Sequence, residues 1–595
     1  MSSYRKRVLL GVAFVGTLLL GTKGFLTANP GYTFGTAFLA AFQLFALNSG
    51  VVEGPVPWTL EWARWIAFAL SGAAALGIAR ELAADSIVRG RLFFERALPS
   101  WVPLRRRCVI VGLGRKGIGL ITDLKAYPAS ELRVLAIDND PERVAIARGM
   151  GVDTLVADGT SEEMLRLLPW QRISWMTLLM RGDEPNVTAA LEGVRQRGDA
   201  DTQLAVHVPT LQLRNLLARQ NALKVRGVRL FNYYERLARR TLLAYPVEIG
   251  AIPREAHAPD LLLGLQAGAP ALEQVPHVFI RPSRDFTPAL VAALARGAHF
   301  PSTAQSPWTR IRVILVGEDA GAQRESIRAL HPALRREGEF ALIEFDTLIP
   351  APGQAAAEAI AERIVALPIG TPSTVFLDVH EPGVALLEAL AVLDKLGVTA
   401  SKAREEFAGT VRCVFDYAED ASIVAFLAAH PALERYMYPL PSLADCCGGR
   451  VLFNAEDQLD ALARHIHAHY DRTGKDPWDT LSLEMQDSNR AAADHVAIVL
   501  RWLRERGRDV TAPNFTWDSA ELDTLAECEH RRWAAQKLMA GWEPDPTLGE
   551  EQDKARKRHG CLDRRYDELS EAMKERDRDN VRAIPELLEL LRGAS

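Results

Sequence analysis

The chain has 595 residues, 48% of them apolar and 24% charged, with a formal net charge of −5. One hydrophobic core rarely grows beyond about 250–300 residues, so this length calls for several domains. The mild acidity excludes the basic footprint of a nucleic-acid binder. Six cysteines without a CxxC pair exclude a disulfide framework or a cysteine metal centre.

Residues 1–100 are far more apolar than the rest. Tyr4-Arg-Lys-Arg7 precedes an uncharged run from Val8 to Thr22, and a span over about 8–26 follows if Lys23 snorkels. A second uncharged run, Trp65–Ala79, begins in a belt of Trp58, Trp62 and Trp65 and predicts a span over about 62–80. Between them, Tyr32–Leu47 reads as a third helix, and Asn48-Ser49-Gly50 opens the loop after it. Basic residues flank the region at both ends, whereas Gly24–Pro57 contains no Lys or Arg. Both ends are therefore expected in the cytoplasm, and the middle helix, about 32–47, is expected to be re-entrant. Helix, re-entrant helix with loop, helix resembles the two-span potassium-channel module. That resemblance makes Asn48, Ser49 and Gly50 the pore candidates. The loop Leu47–Glu53 departs from the carbonyl-lined filter of such channels, and a plain two-helix anchor fits the same residues.

Next, Cys108-Val-Ile-Val111 reads as a buried strand that runs into Gly112-x-Gly114-x-x-Gly117. A helix start follows, and then a strand that ends in Asp138. Glycines at this spacing allow a tight turn, close approach of the backbone to phosphate and close helix packing. The acid is placed to take a ribose hydroxyl pair. Alternating strands and helices continue to about 245, with Asp158 at the end of the third strand. Gly-Leu-Gly-Arg-Lys-Gly, Ile137-Asp138-Asn-Asp140 and Ala157-Asp158-Gly-Thr160 together resemble the RCK (Trk-type, KTN) nucleotide-binding domain over 105–245. The resemblance implies NAD(H) or an adenine nucleotide held by Gly112, Gly114, Gly117, Asp138 and Asp158. It also implies a homo-oligomer, dimer or tetramer, beneath a membrane pore. No Tyr-x-x-x-Lys pair accompanies the fold, so a dehydrogenase is not expected.

Residues 246–455 read as a second Rossmann-like α/β unit, with its first strand at Arg310–Gly317 and acids where phosphate would sit. The Pro-rich stretches near 252–275 and Pro350-Ala-Pro352 read as linkers. From 456 to 595 the pattern becomes helical. Ser488-Asn489-Arg490, Glu529-His530, Arg532-Trp533, Gly541-Trp542, Asp567-Glu-Leu569 and Asp577-Arg578-Asp579 resemble, in order, the RyR domain, the repeat of ryanodine receptors. The resemblance implies a nucleotide-sensing role, with Asn489, Arg490, His530, Arg532, Trp533, Trp542 and Arg578 as ligand contacts. The same residues serve equally as core tryptophans and a structural Glu529–Arg532 ion pair. No metal site is expected, because His530 has no second ligand at zinc spacing.

The expected architecture is multidomain: an α-helical membrane segment with two spans and a re-entrant helix, two α/β Rossmann-like units and a C-terminal all-α RyR domain. The expected function is a ligand-regulated, potassium-channel-like protein of a bacterial inner membrane, not an enzyme, with both termini cytoplasmic. Its partners are the lipid bilayer, a nucleotide ligand and further copies of itself. The alternative is a membrane-anchored nucleotide sensor or defence effector without a selective pore.

Overall fold

A computed structural model describes residues 3–46, 48, 52, 55–99, 101–126, 132–219, 227–248, 274–301, 311–377, 381–398, 407, 410–453, 458–471, 474–512 and 514–593. Ser49 and Gly50, most of the 47–54 loop and nearly all of the 252–275 stretch lie outside the described residues. The chain forms two compact units. The first is Met1–Pro99 together with Asp153–Val156 and Leu167–Pro169, and the second is the remainder.

The first unit is helical: Ser3–Ala28, Phe34–Gln43 and Trp58–Ala97. Thr33 caps the short middle helix by accepting from the Thr36 amide. The three helices pack through small residues. A Cβ at Gly21 would lie 2.9 Å from the Ala41 Cβ, and one at Gly24 would lie 2.6 Å from the Leu60 Cβ. Their shared core is Leu18, Phe25, Ala37, Ala41, Leu44, Leu60 and Ala63. The third helix does not stop at Arg80 as expected but continues as one 40-residue element to Ala97. Charged residues beyond Arg80 cost a helix little where side chains reach water. Among the described residues, no helix is long and apolar enough to cross a membrane.

After these helices comes a parallel sheet of β1 (Arg107–Val111), β2 (Arg133–Asp138), β3 (Asp153–Val156), β4 (Ile173–Leu178), β5 (Gln203–His207) and β6 (Val228–Phe231), in the order β3-β2-β1-β4-β5-β6. All five residues of β1 are buried, as expected for a central strand covered on both faces. The register pairs Val111 with Ile137, which brings Gly112 alongside the end of β2. The second sheet comprises β7 (His277–Ile280), β8 (Arg312–Val316), β9 (Glu344–Leu348), β10 (Ser373–Phe376), β11 (Val411–Phe415) and β12 (Met437–Pro439), ordered β12-β11-β10-β7-β8-β9.

The two orders are the same, and this corrects the reading of the middle region. The run at Arg310–Gly317 supplies the second strand of its unit, not the first. The first is the short β7, whose four residues are all buried. The Pro350–Pro352 stretch is a connection within the unit, between β9 and the Ala356–Val365 helix.

The C-terminal region is built on the helices Gln458–Tyr470, Leu483–Glu505, Ser519–Met539, Glu571–Arg582 and Ile584–Gly593. Asp518 caps the third of these through the Ala520 and Glu521 amides. The region is not all helical. β13 (Glu543–Pro544), β14 (Gln552–Asp553) and β15 (Arg558–His559) form a small sheet in the order β13-β15-β14. Here a Cβ on Gly560 would sit 1.9 Å from the Gly549 carbonyl oxygen, so only glycine fits after His559.

Candidate functional site

β1 ends in a turn that only glycine can make. Gly112 has φ +94°, and a Cβ there would lie 2.5 Å from the Met180 amide nitrogen. A Cβ on Gly117 would lie 2.1 Å from the Gly112 carbonyl oxygen, so the following helix, Arg115–Ala126, sits directly on the turn. Gly114 differs from both, because a Cβ there would meet nothing within 4 Å. Two glycines are thus required by packing, while the third faces open space. The first intrahelical bond runs from the Ile118 N–H to the Gly114 carbonyl at 3.0 Å. The amides ahead of it have no intrahelical acceptor and carry the positive end of the helix dipole. A phosphate fits that position.

Asp138 is buried at the end of β2. Its Oδ1 accepts from the Asp140 N–H at 2.9 Å, and its Oδ2 accepts from the Leu113 N–H in the loop itself. Each oxygen retains a lone pair for a ribose hydroxyl. Asp158 is exposed and accepts from the Thr160 amide (2.9 Å) and hydroxyl (2.8 Å). Gly112, Gly114, Gly117 and Asp138 therefore meet at one end of the sheet. Asp158 is engaged in its own turn.

Further side chains gather at the loop that no motif in the sequence singles out. Arg115 forms an ion pair with Asp416, which follows β11 of the second sheet. Lys116 is half-buried, with its Nζ 5.3 and 4.9 Å from the ring centres of Tyr233 and Tyr234. Burial lowers the pKa of this ammonium. The signal was present, since Arg115-Lys116 lies inside the glycine motif and Tyr233-Tyr234 follows β6. The distance between them in sequence hid the contact. Asp123, on the same helix, accepts from the Gly449 amide at 2.6 Å. The glycine-loop helix is thus tied to the 443–453 segment.

The equivalent loop of the second sheet is Arg281-Pro-Ser-Arg-Asp285 and has no glycine. Arg281 fills the place. Its Nε donates to both Glu388 carboxylate oxygens at 3.1 Å, and its Nη1 donates to the Val316 carbonyl at 2.8 Å. Acids at the phosphate position were expected, but Glu318 and Asp319 follow the second strand of this unit instead. A half-buried arginine, already engaged by Glu388 and the Val316 carbonyl, stands in this loop in place of glycine.

The seven C-terminal candidates are not brought together. Arg532 makes a buried two-point bond to Glu529, Nε to Oε2 at 2.8 Å and Nη2 to Oε1 at 2.7 Å. Trp542 is buried, its Nε1 donates to Glu484 at 2.6 Å, and the Lys537 Nζ lies 4.1 Å over its ring. Arg578 is held by Asp523, Glu571 and Glu575. Arg490 bonds Asp460 and Asp487, and the Asn489 side chain donates to the Met485 carbonyl. Only His530 and Trp533 touch, with ring centres 5.4 Å apart, and Asp577 lies 3.2 Å from the His530 Nδ1. The core-and-ion-pair reading describes Arg532, Trp542 and Arg578. Nearby, Cys528, His495 and Glu529 follow one another like a hydrolase triad, with Sγ 3.5 Å from the His495 Nε2. The thiol instead donates to the His299 carbonyl at 3.1 Å, and burial pushes its pKa up, so it is no nucleophile. Among the described residues, no group of side chains could hold a metal.

Residues 108–220 match the TrkA-N domain. Residues 509–592 match the RyR domain. No curated protein matches the chain. Among solved structures, the GsuK channel bound to NAD is 12% identical, over 74% of this chain and 80% of that one, with a TM-score of 0.35. GsuK bound to ADP is 12% identical over 72% and 94%, with a TM-score of 0.33. The NAD(P)-binding domain of an exopolyphosphatase-related protein from Archaeoglobus fulgidus is 23% identical over 22% and 88%, with a TM-score of 0.19. Residues 108–220 are thus similar to the TrkA-N domain and residues 509–592 to the RyR domain.

Proposed function

We propose that this protein is a nucleotide-regulated membrane channel or transport protein, with a TrkA-N glycine loop as its switch and an RyR domain as a second sensor. The observation that carries the reading is the division of labour among the three glycines. Gly112 and Gly117 are demanded by packing, while Gly114 borders open space at a helix N-terminus. Such a cradle suits the phosphates of NAD(H) or an adenine nucleotide, with Asp138 toward the ribose and Asp158 at the rim. The site positions and charges a ligand, and the proposal includes no turnover.

The membrane half of the proposal rests on surface chemistry. Val12, Leu19, Phe34, Trp58, Trp62 and Trp65 are each at least 60% exposed on the first helical unit. Monomeric soluble proteins rarely leave so much large apolar surface uncovered. Lipid, with further copies of the chain, would cover it. The basic flanks then put both termini on the cytoplasmic side of a bacterial inner membrane. A sensor anchored to the membrane without a selective pore is the second reading, favoured by the absence of a recognisable filter in Leu47–Glu53.

Ion flux through proteoliposomes, with and without NAD and ADP, tests the proposal. A potassium flux that either nucleotide changes is expected. No flux under any of these conditions would leave the pore-free sensor standing and remove the channel.

A further inference from the structure

We infer that the cavity bounded by the Tyr233–Ala244, Phe286–Gly297 and Leu483–Glu505 helices is the ligand site of the C-terminal sensor, and that it takes a phosphate-bearing compound with an apolar part. This rests on the sensor reading above and names its site. The polar groups expected to face a ligand on the RyR domain are already engaged: Arg532 by Glu529, Arg578 by three carboxylates and Trp542 by Glu484. Open space lies elsewhere. The cavity is partly open to solvent and includes Arg490, one of the seven candidates, in its wall.

The lining has two characters. Leu242, Leu243, Val247, Phe300 and Ile498 make it apolar on one side. Four arginines and four carboxylates lie on the other, and most are matched: Arg239 with Asp494, Arg490 with Asp487 and Arg296 with Glu235. Arg501 is the exception. It is 9% exposed, its Nη2 pairs with Glu248, and its Nε and Nη1 are buried with no acceptor among the described residues. The Arg296 Nε is in the same state. Buried guanidinium N–H groups without acceptors are costly, so these three donors mark a missing acceptor-rich group. A phosphate offers several oxygens in the geometry a guanidinium fork prefers.

Such a ligand would turn Arg501 from Glu248 toward itself and fill the apolar side with its body. It would touch three parts of the chain at once: the helix after β6 of the TrkA-N sheet, the first helix after β7 and the long helix of the C-terminal region. Occupancy would thereby favour whichever packing of the three closes on it.

Photolabelling of the full chain in detergent with azido-ADP, followed by peptide mapping, tests the inference. The expected result is label in two places, the glycine loop and the cavity helices. Arg501→Gln should lower the cavity label roughly tenfold or more while leaving the loop label, which also reports that the chain is folded. Leu243→Trp should do the same by filling the space without removing a charge. Wild-type label confined to the glycine loop, or cavity label unchanged in both variants, would overturn the site. Absence of label from the glycine loop as well would overturn the nucleotide reading itself.

Discussion

Arg239→Met is the most informative perturbation of the body. Arg239 is 8% exposed and bridges two carboxylates. Its Nε and Nη2 donate to Asp494 at 2.7 and 2.8 Å, and its Nη1 donates to Asp460 at 3.0 Å. The helix that follows the TrkA-N sheet is thereby joined to two C-terminal helices. Methionine keeps most of the stem volume and removes the charge. Breaking one partner out of a buried pair costs about 3–5 kcal/mol, because the other charge stays buried without compensation. Asp460 keeps Arg490, and the Asp494 side chain is 23% exposed, so the low end applies, about 3 kcal/mol. For a unit of roughly 490 residues that corresponds to about 3 °C in the unfolding midpoint. Differential scanning calorimetry reads the shift. Arg239→Met combined with Asp494→Leu should recover at least half of it, since the stranded acid is then gone. A single-variant loss below about 1 kcal/mol would refute the assignment of this pair as a structural tie.

Two further outcomes are expected. Gly117→Ala places a methyl group 2.1 Å from the Gly112 carbonyl, so it should abolish azido-ADP labelling of the glycine loop and lower the unfolding midpoint. Gly114→Ala, which meets nothing, should leave the midpoint unchanged. Acid should weaken the C-terminal region. His559 is buried, its Nδ1 accepts from the Cys561 N–H at 3.1 Å, and burial, then Lys537 and His530, pull its pKa down to about 4. The folded state therefore binds fewer protons than the unfolded chain below an ordinary value near 6.5, and stability falls as pH drops from there toward 4. His331 is also held at about 4, again mainly by burial, and acts in the same direction. Unfolding free energies from urea melts at pH 7 and 5 should differ by about 1–2 kcal/mol for His559 alone, and His559→Gln should remove that share.

Much of this arrangement was legible in the sequence where local rules dominate. The glycine motif, the acid at 138 and the periodic C-terminal helices are set by backbone sterics and residue spacing within a few turns. The contacts that escaped are long-range. Lys116 meets Tyr233 and Tyr234 only after β6 returns to the sheet edge. Arg239 reaches Asp460 and Asp494 across more than two hundred residues of chain. The second unit was misaligned because β8 is its most apolar run, whereas β7, its topological first strand, is short. In the RyR domain, residue identity was readable but orientation was not. Nothing local distinguishes a tryptophan facing ligand from one donating to Glu484.

Gly114→Glu tests the central claim most directly. The position has no steric demand, so the variant should fold and melt like the wild type, while its carboxylate occupies the space proposed for phosphate. Equilibrium binding of labelled NAD and ADP to the full chain in detergent is the measurement. The account predicts glycine-loop binding in the wild type and at least a tenfold loss in Gly114→Glu at an unchanged midpoint. Equal binding by the two proteins would contradict it.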